Sequence, residues 1–236
     1  MKKNYYTSGY KKRLINNDND FMEPAENFIR IFKMNFLKKD KLKCLDFGVG
    51  DGRHTKFLLE RKHNVLATDV SDEAIKLSKK NIKKFSNYLI IERDNFKKLL
   101  DYKFFDLIIC WETIHWIGDI DKINFLIKIF EQICVKKGNV IITFPSEDDY
   151  YVKNSKYLGD HKFKIKLSER KNAVICAPKI NVLKKIFENN KFRILQIFKY
   201  SHGRVVFNKL KVENDMKGSD IKNNLMSVYA FVLQKS

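Results

Sequence analysis

The chain has 236 residues, 44% hydrophobic and 13% aromatic, enough for one full α/β core and too apolar for intrinsic disorder. No apolar run reaches about 18 residues, so no membrane-spanning helix is expected, and Lys2 and Lys3 lead into no apolar stretch of a secretory signal. The formal charge of +19, from 47 Lys and Arg against 28 Asp and Glu, points toward polyanions, yet the excess is mostly lysine scattered along the whole sequence, and arginine, the better phosphate fork, is sparse.

In chain order, residues 1–20 are polar with Tyr5, Tyr6 and Tyr10 interspersed, and read as a loosely ordered arm. Apolar residues at helical spacing after Pro24 predict an amphipathic helix over 25–38. Strand 1 follows at 42–47 and ends on a glycine cluster, and a helix spans 53–61. Strand 2 is 64–68. Ser71 and Asp72 can cap the next helix, which runs to about Phe85. Strand 3 is 88–92, and strand 4 is 104–110, apolar on both faces as a central parallel strand should be. A helix over 120–135, stopped by Lys136-Lys137-Gly138, precedes strand 5 at 139–144. Residues 145–178 are polar and aromatic without clear period. A helix over 180–189 and β-rich segments at 192–200 and 226–234 suggest a hairpin added to the sheet edge.

Strands alternating with helices to residue 144 predict a Rossmann-like, doubly wound, mostly parallel sheet with right-handed crossovers. Seven strands are expected, with an antiparallel C-terminal hairpin. We treat 1–236 as one domain: arm and helix 1–40, core 41–144, and insertions 145–178 and 201–224 that cap a pocket. Cys44, Cys110, Cys134 and Cys176 are widely spaced, with no Cys-x-x-Cys pair and no histidine at ligand spacing. They read as small buried hydrophobes of a reducing, cytoplasmic compartment, and no metal is expected.

The strongest local signal is the run from Leu45 to Arg53, with Asp46, Gly48, Gly50 and Gly52, closing a strand and opening a helix. Glycines there let the backbone turn tightly and let a ligand approach the main chain. In such sheets the ligand crevice lies at the carboxyl ends of the strands. A dinucleotide site wants Gly-x-Gly-x-x-Gly; here the third glycine comes one residue early and Arg53 holds its place.

The acidic-x-Gly-x-Gly-x-Gly run resembles motif I of the class I S-adenosylmethionine-dependent methyltransferases, and the resemblance extends over about residues 40–145. It implies that Asp46, Gly48, Gly50, Gly52 and Arg53 hold the amino-acid end of S-adenosylmethionine. Asp69, with Val70 beside it, would accept the ribose hydroxyls. Asp94, Asn95 and Phe96 would frame the adenine, and Cys110 and Trp111 would complete the pocket. It further implies direct methyl transfer, leaving S-adenosylhomocysteine, to an oxygen or nitrogen of a small-molecule acceptor. The Lys- and Asn-rich composition fits an AT-rich bacterial genome, and by that association a surface-glycan sugar or substituent precursor is one acceptor class. His115 is the candidate base because its ordinary pKa is near neutrality; packing or substrate orientation is the alternative. Tyr5, Tyr6, Tyr10, Trp116, Tyr150 and Arg204 are candidate substrate contacts. Core packing for the tryptophans and surface roles for Tyr150 and Arg204 stay open. A nucleic-acid methyltransferase using the basic surface, a non-catalytic S-adenosylmethionine-binding subunit and a nicotinamide dehydrogenase are the competing readings. No oligomeric state is implied.

Overall fold

The longer helices carry apolar stripes, and the fold buries these stripes against the sheet. In this computed structural model, which describes residues 23–85, 88–92, 96–102, 104–165, 173–203 and 225–236, α1 spans Glu26–Phe36 and buries Phe28, Ile31, Phe32 and Phe36. Then come β1 (Lys43–Phe47), α2 (Arg53–Glu60), β2 (Asn64–Asp69), α3 (Asp72–Ile82), β3 (Tyr88–Glu92), α4 (Phe96–Leu99) and β4 (Phe105–Cys110). A 3-10 turn at Ile114–Ile117 leads into α5 (Ile120–Ile133) and β5 (Cys134–Pro145). The start of α3 follows its sequence signal: Ser71 Oγ accepts the Ala74 N–H at 3.2 Å, and Asp72 and Glu73 put negative charge in the first turn.

After β5 come α6 (Tyr150–Lys153), β6 (Lys156–Gly159), β7 (Lys162–Lys164), β8 (Val174–Cys176), α7 (Ile180–Asn189), β9 (Phe192–Gly203) and β10 (Leu225–Lys235). Seven strands pair in the order β3-β2-β1-β4-β5-β10-β9. The β1–β2, β2–β3, β1–β4 and β4–β5 ladders are parallel. β10 is antiparallel to both β5 and β9 and lies between them, so the terminal pair is not simply appended in chain order.

Two apolar layers sandwich this sheet. Leu107, Ile109 and Trp111 pack with α1, α2 and α3, whereas Ile108 and Cys110 pack with α5 and α7. That two-sided burial is why β4 reads as continuously apolar.

Two stretches depart from expectation. The helix over 120–135 ends at Ile133, and the Lys136-Lys137-Gly138 stop lies inside β5. The lysine pair and glycine form a bulge there. Lys137 takes φ 61°, and the register jumps from Phe105 opposite Cys134 to Leu107 opposite Asn139. Residues 145–178 contain α6 and a second, antiparallel sheet in the order β6-β7-β8. Its β6–β7 turn uses Gly159, Asp160 and His161, all at positive φ. Strands of three or four residues are too short for alternation to show. This small sheet has its own core of Tyr151, Val152, Ile165, Ala173 and Ile175, against which Trp116, Phe163, Ala177 and Met226 pack. Among the described residues no helix is long and apolar enough to cross a membrane.

Candidate active site

β1 delivers the chain into a turn through Gly48, Gly50 and Gly52 at φ 83°, 57° and 88°, conformations that disfavour a Cβ. The Gly48 and Val49 N–H groups both donate to Thr68 O, at 2.9 and 2.8 Å, and pin the turn to the end of β2. A Cβ on Gly48 would lie 2.8 Å from Thr113 Cβ and closer still to Thr113 Oγ1 and Cγ2. Main chain from β1 and side chain from the segment after β4 therefore meet with no room for a methyl group.

Carboxylates surround this turn. Asp69 Oδ2 accepts the Gly50 N–H at 3.0 Å and Oδ1 accepts the Ser71 N–H at 2.9 Å. Burial raises its pKa, and these amide bonds oppose the rise. Asp46, 1% exposed, accepts the Thr55 hydroxyl at 2.6 Å. Burial pushes its pKa up to about 6; the Thr55 bond and the Arg53 charge oppose this, while Asp69 and Asp51 add to it. Asp51 Oδ1 accepts the Arg53 N–H at 3.3 Å at the start of α2. Thr68 Oγ1 is buried with no hydrogen-bond partner among the described residues. Val70, beside Asp69, is exposed. Bare glycine main chain ringed by three carboxylates suits a ligand that is locally cationic and carries hydroxyl donors. It opposes a pyrophosphate.

The segment after β4 divides its side chains. Cys110 is fully buried on the α5 side. Trp111, 4% exposed, sits in the α1 layer, with ring centroids 5.5 Å from Phe28 and 5.8 Å from His54, and stacks on Tyr200 at 6.0 Å. Both side chains are core packing here, so what these positions offer a ligand is main chain. Glu112 follows at φ 51°, its N–H donating to Thr143 Oγ1 at 2.6 Å and its carboxylate 3.6 Å from Arg53 Nη2. Sequence reasoning gave no role to Glu112, Thr143 or Tyr200. For Glu112 the available signal was a lone charge at the mouth of an apolar strand.

His115 lies in the 3-10 turn, half-buried, its ring 4.9 Å from Trp116. Trp116 packs against the core of the small sheet. A Cβ on Gly118 would approach Val174 O of β8 to 3.0 Å, and Lys162 of β7 pairs with Asp119 at 3.2 Å. The small sheet is thus fastened to the turn that carries His115. At the end of β5, Asp149 accepts the Tyr151 and Val152 N–H groups through Oδ1 and the Ser227 N–H through Oδ2. Burial pushes its pKa up to about 6, against these bonds, and the charge of Glu112 adds to the rise. Tyr150 is half-buried, its ring 6.0 Å from that of Tyr151.

Several expected contacts are not among these. Tyr5, Tyr6, Tyr10, Asp94, Asn95 and Arg204 lie outside the described residues, as does the side chain of Phe96. Among the described residues no group of three or more His, Cys, Asp or Glu could hold a metal ion. All four cysteines are free and buried.

Residues 44–135 match the family model described as a methyltransferase domain. No curated protein sequence matches the chain. Among solved structures it is similar to the magnesium protoporphyrin IX methyltransferase ChlM of Synechocystis PCC 6803 with bound S-adenosylhomocysteine (TM-score 0.66, 12% identity, 98% of this chain and 97% of that one). It is also similar to the N-methyltransferase NodS of Bradyrhizobium japonicum WM9 in complex with S-adenosylhomocysteine (0.63, 12%, 98% of each). An S-adenosylmethionine-dependent methyltransferase of Clostridium acetobutylicum aligns at TM-score 0.61 with 17% identity and 97% of each chain.

Proposed function

We infer that this S-adenosylmethionine-dependent methyltransferase, a class I enzyme, methylates an oxygen or nitrogen atom of a small-molecule acceptor; a sugar or sugar substituent destined for a surface glycan is the first class to test. The observation that carries the cofactor assignment is the glycine turn ringed by Asp46, Asp51 and Asp69. Its bare main chain fits an amino-acid end, and its negative surround fits a sulfonium and repels a nicotinamide dinucleotide's pyrophosphate.

S-adenosylmethionine supplies a methyl carbon already made electrophilic by the sulfonium. Toward it, Gly48, Gly50, Gly52 and Arg53 would hold the amino-acid end. A carboxylate has about four acceptor sites, and the amide bonds from Gly50, Ser71 and Val70 to Asp69 leave it able to accept from a ribose hydroxyl. Val70 is assigned to the cofactor beside the ribose contact Asp69, and Asp94, Asn95 and Phe96 to the adenine. What remains for the protein is alignment and exclusion of water, worth up to roughly 7–11 kcal/mol of barrier. We assign His115 the proton of the acceptor atom and the cap the closure of the pocket. Tyr150, Arg204 and the tyrosine arm are proposed contacts for the acceptor.

A small acceptor is favoured over nucleic acid because lysines around the cap are already ion-paired. Lys162 meets Asp119 and Asp160, and Lys153 and Lys199 both meet Asp148. The free, buried cysteines support a cytoplasmic, reducing location.

Thermal-shift and calorimetric titrations with S-adenosylmethionine, S-adenosylhomocysteine and NAD test the assignment. Binding of the first two should stabilise the fold by about 2.7 kcal/mol at a hundred times Kd, and Asp69→Ala should weaken both. Stabilisation by NAD alone would overturn it. His115→Ala should lower turnover about 10²–10⁴-fold with S-adenosylhomocysteine affinity kept; unchanged turnover removes the base.

A further inference from the structure

β6 is the outer strand of the small sheet, and Lys156, Tyr157 and Leu158 along it are all exposed, Tyr157 by 58% and Leu158 by 47%. The ring of Tyr157 lies 5.1 Å from that of Phe163, which packs against the core of that sheet. At the turn that follows, a Cβ on Gly159 would meet no atom within 4 Å. The strand thus offers neighbouring apolar side chains to its surroundings and ends in open space. A second feature accompanies them. Lys156 stands directly opposite Lys164 in the β6–β7 ladder, on the other side of the ribbon from Tyr157 and Phe163. Like charges so placed destabilise a sheet. Lys162 is held by Asp119 and Asp160, whereas neither Lys156 nor Lys164 has an ion-pair partner among the described residues. An anion between these two ammonium groups relieves their repulsion.

We propose that the β6–β7 hairpin docks the protein on an anionic lipid bilayer, with Tyr157 and Leu158 entering the headgroup region and Lys156 and Lys164 on lipid phosphates. Charge complementarity identifies the partner: a chain of net charge +19 is drawn to an anionic surface. Among such surfaces Leu158 selects lipid. An aliphatic side chain gains little from a phosphate, but it leaves water at a bilayer. Tyr157, with an apolar ring and a polar tip, suits the boundary between the two. A nucleic acid is gripped best by arginine forks, and residues 156–164 contain no arginine. Four side chains give weak, reversible docking rather than stable anchoring. Lys162 ties the hairpin to Asp119, just past the turn that carries His115, so docking keeps that turn close to the bilayer. Under the methyltransferase reading, an acceptor carried on lipid is then the first to meet it; the docking itself does not rest on that reading.

The test is cosedimentation of the full chain with phosphatidylcholine vesicles, with and without about 30% phosphatidylglycerol, at about 0.1 M salt. Wild type should bind the anionic vesicles and leave the neutral ones in suspension. A lysine near an anionic surface is worth about a factor of five, so Lys156→Gln with Lys164→Gln should weaken binding about 25-fold. Lys38→Gln with Lys39→Gln makes the same charge change at exposed positions after α1, and should weaken it by no more than about three-fold. Leu158→Ser should cost about 3–10-fold, as fits a side chain already half exposed. In Leu158→Trp the added indole should shift its fluorescence to the blue on anionic vesicles, above the constant signal of Trp111 and Trp116. All the altered positions are exposed, so each variant should melt within about 2 °C of wild type. Equal losses in the two lysine pairs overturn the proposal, because the attraction is then to net charge alone. Binding that Leu158→Ser leaves unchanged overturns it in favour of a nucleic-acid surface, and failure to bind anionic vesicles overturns it outright. Wild-type protein that docks but does not bind S-adenosylhomocysteine supports the docking and overturns the methyltransferase assignment instead.

Discussion

Replacing Gly48 with alanine probes the place where β1, β2 and the segment after β4 meet. The substitution meets two separate obstacles. At φ 83° an L-residue is strained, by about 1–2 kcal/mol. The new methyl would also lie 2.8 Å from Thr113 Cβ and nearer to that residue's other side-chain atoms. Overpacking of this kind costs about 1–3 kcal/mol. Together they imply a loss of about 3 kcal/mol, which for a chain of this length is about 6–12 °C in Tm. A double-mutant cycle separates the terms. Thr113→Gly removes all three crowding atoms but leaves φ as it was, and it also removes the bond from Thr113 Oγ1 to Trp111 O. The coupling between the two substitutions should therefore be about 1–3 kcal/mol, with the backbone strain at position 48 persisting in the double variant. Chemical unfolding of the four proteins, with S-adenosylhomocysteine calorimetry beside it, gives the numbers. A Gly48→Ala protein that melts within 1 °C of wild type (roughly 0.3 kcal/mol) and binds S-adenosylhomocysteine equally well would refute the account of this turn.

Three other perturbations report on neighbouring features. Asp46 holds its proton up to about pH 6 when folded, against 3.8 ordinarily, so its contribution is fully present in acid and is lost as pH rises through 6. The loss is about 1 kcal/mol between pH 5 and pH 7. Urea unfolding of Asp46→Asn should show that much less decline than wild type over this interval, and equal declines would contradict the sign. Thr143→Val keeps the shape of a fully buried side chain but strands the Glu112 N–H, at a cost of about 1–3 kcal/mol. An undiminished Tm would mean that water replaces the hydroxyl. Trp116→Ala should loosen the cap, so limited proteolysis should cut within 145–178 faster than in wild type while the sheet resists. Equal cutting rates would show that Trp116 does not fasten it.

The parallel half of the fold was legible because its signals are local. Ser71 marks the start of α3 by its own hydroxyl, and the glycines at 48, 50 and 52 mark a turn that only they enter comfortably. Long-range facts were not. Lys136-Lys137-Gly138 carries the chemistry of a helix stop, yet a bulge uses the same residues: Gly138 has no space for a Cβ beside Cys134 Sγ and Val135 O. The short strands of the cap acquire their partners only in three dimensions. At the site, Asp69 and the glycine turn were visible as a spaced pattern. For Trp111 the sequence left a pocket role and core packing open, and it took Phe28, His54 and Tyr200 to show that its ring is packed on all these sides. The left-handed backbone of Glu112 has no compositional sign at all; it shows only in the fold, where the Glu112 N–H meets Thr143 on the next strand.

The placement of β10 between β5 and β9 shapes how the molecule is made on a ribosome. β9 leaves the exit tunnel before its ladder partner exists, and the open side of β5 waits for the same late segment. Until residues 225–235 emerge, two sticky margins face solvent, an arrangement that invites pairing with neighbouring nascent chains. Completion then comes in one step, since a single strand closes both margins and the Lys235 ammonium ties its end to Glu131 O and Cys134 O. A stalled or clipped product lacking that strand should be captured by chaperones far more readily than the full sheet.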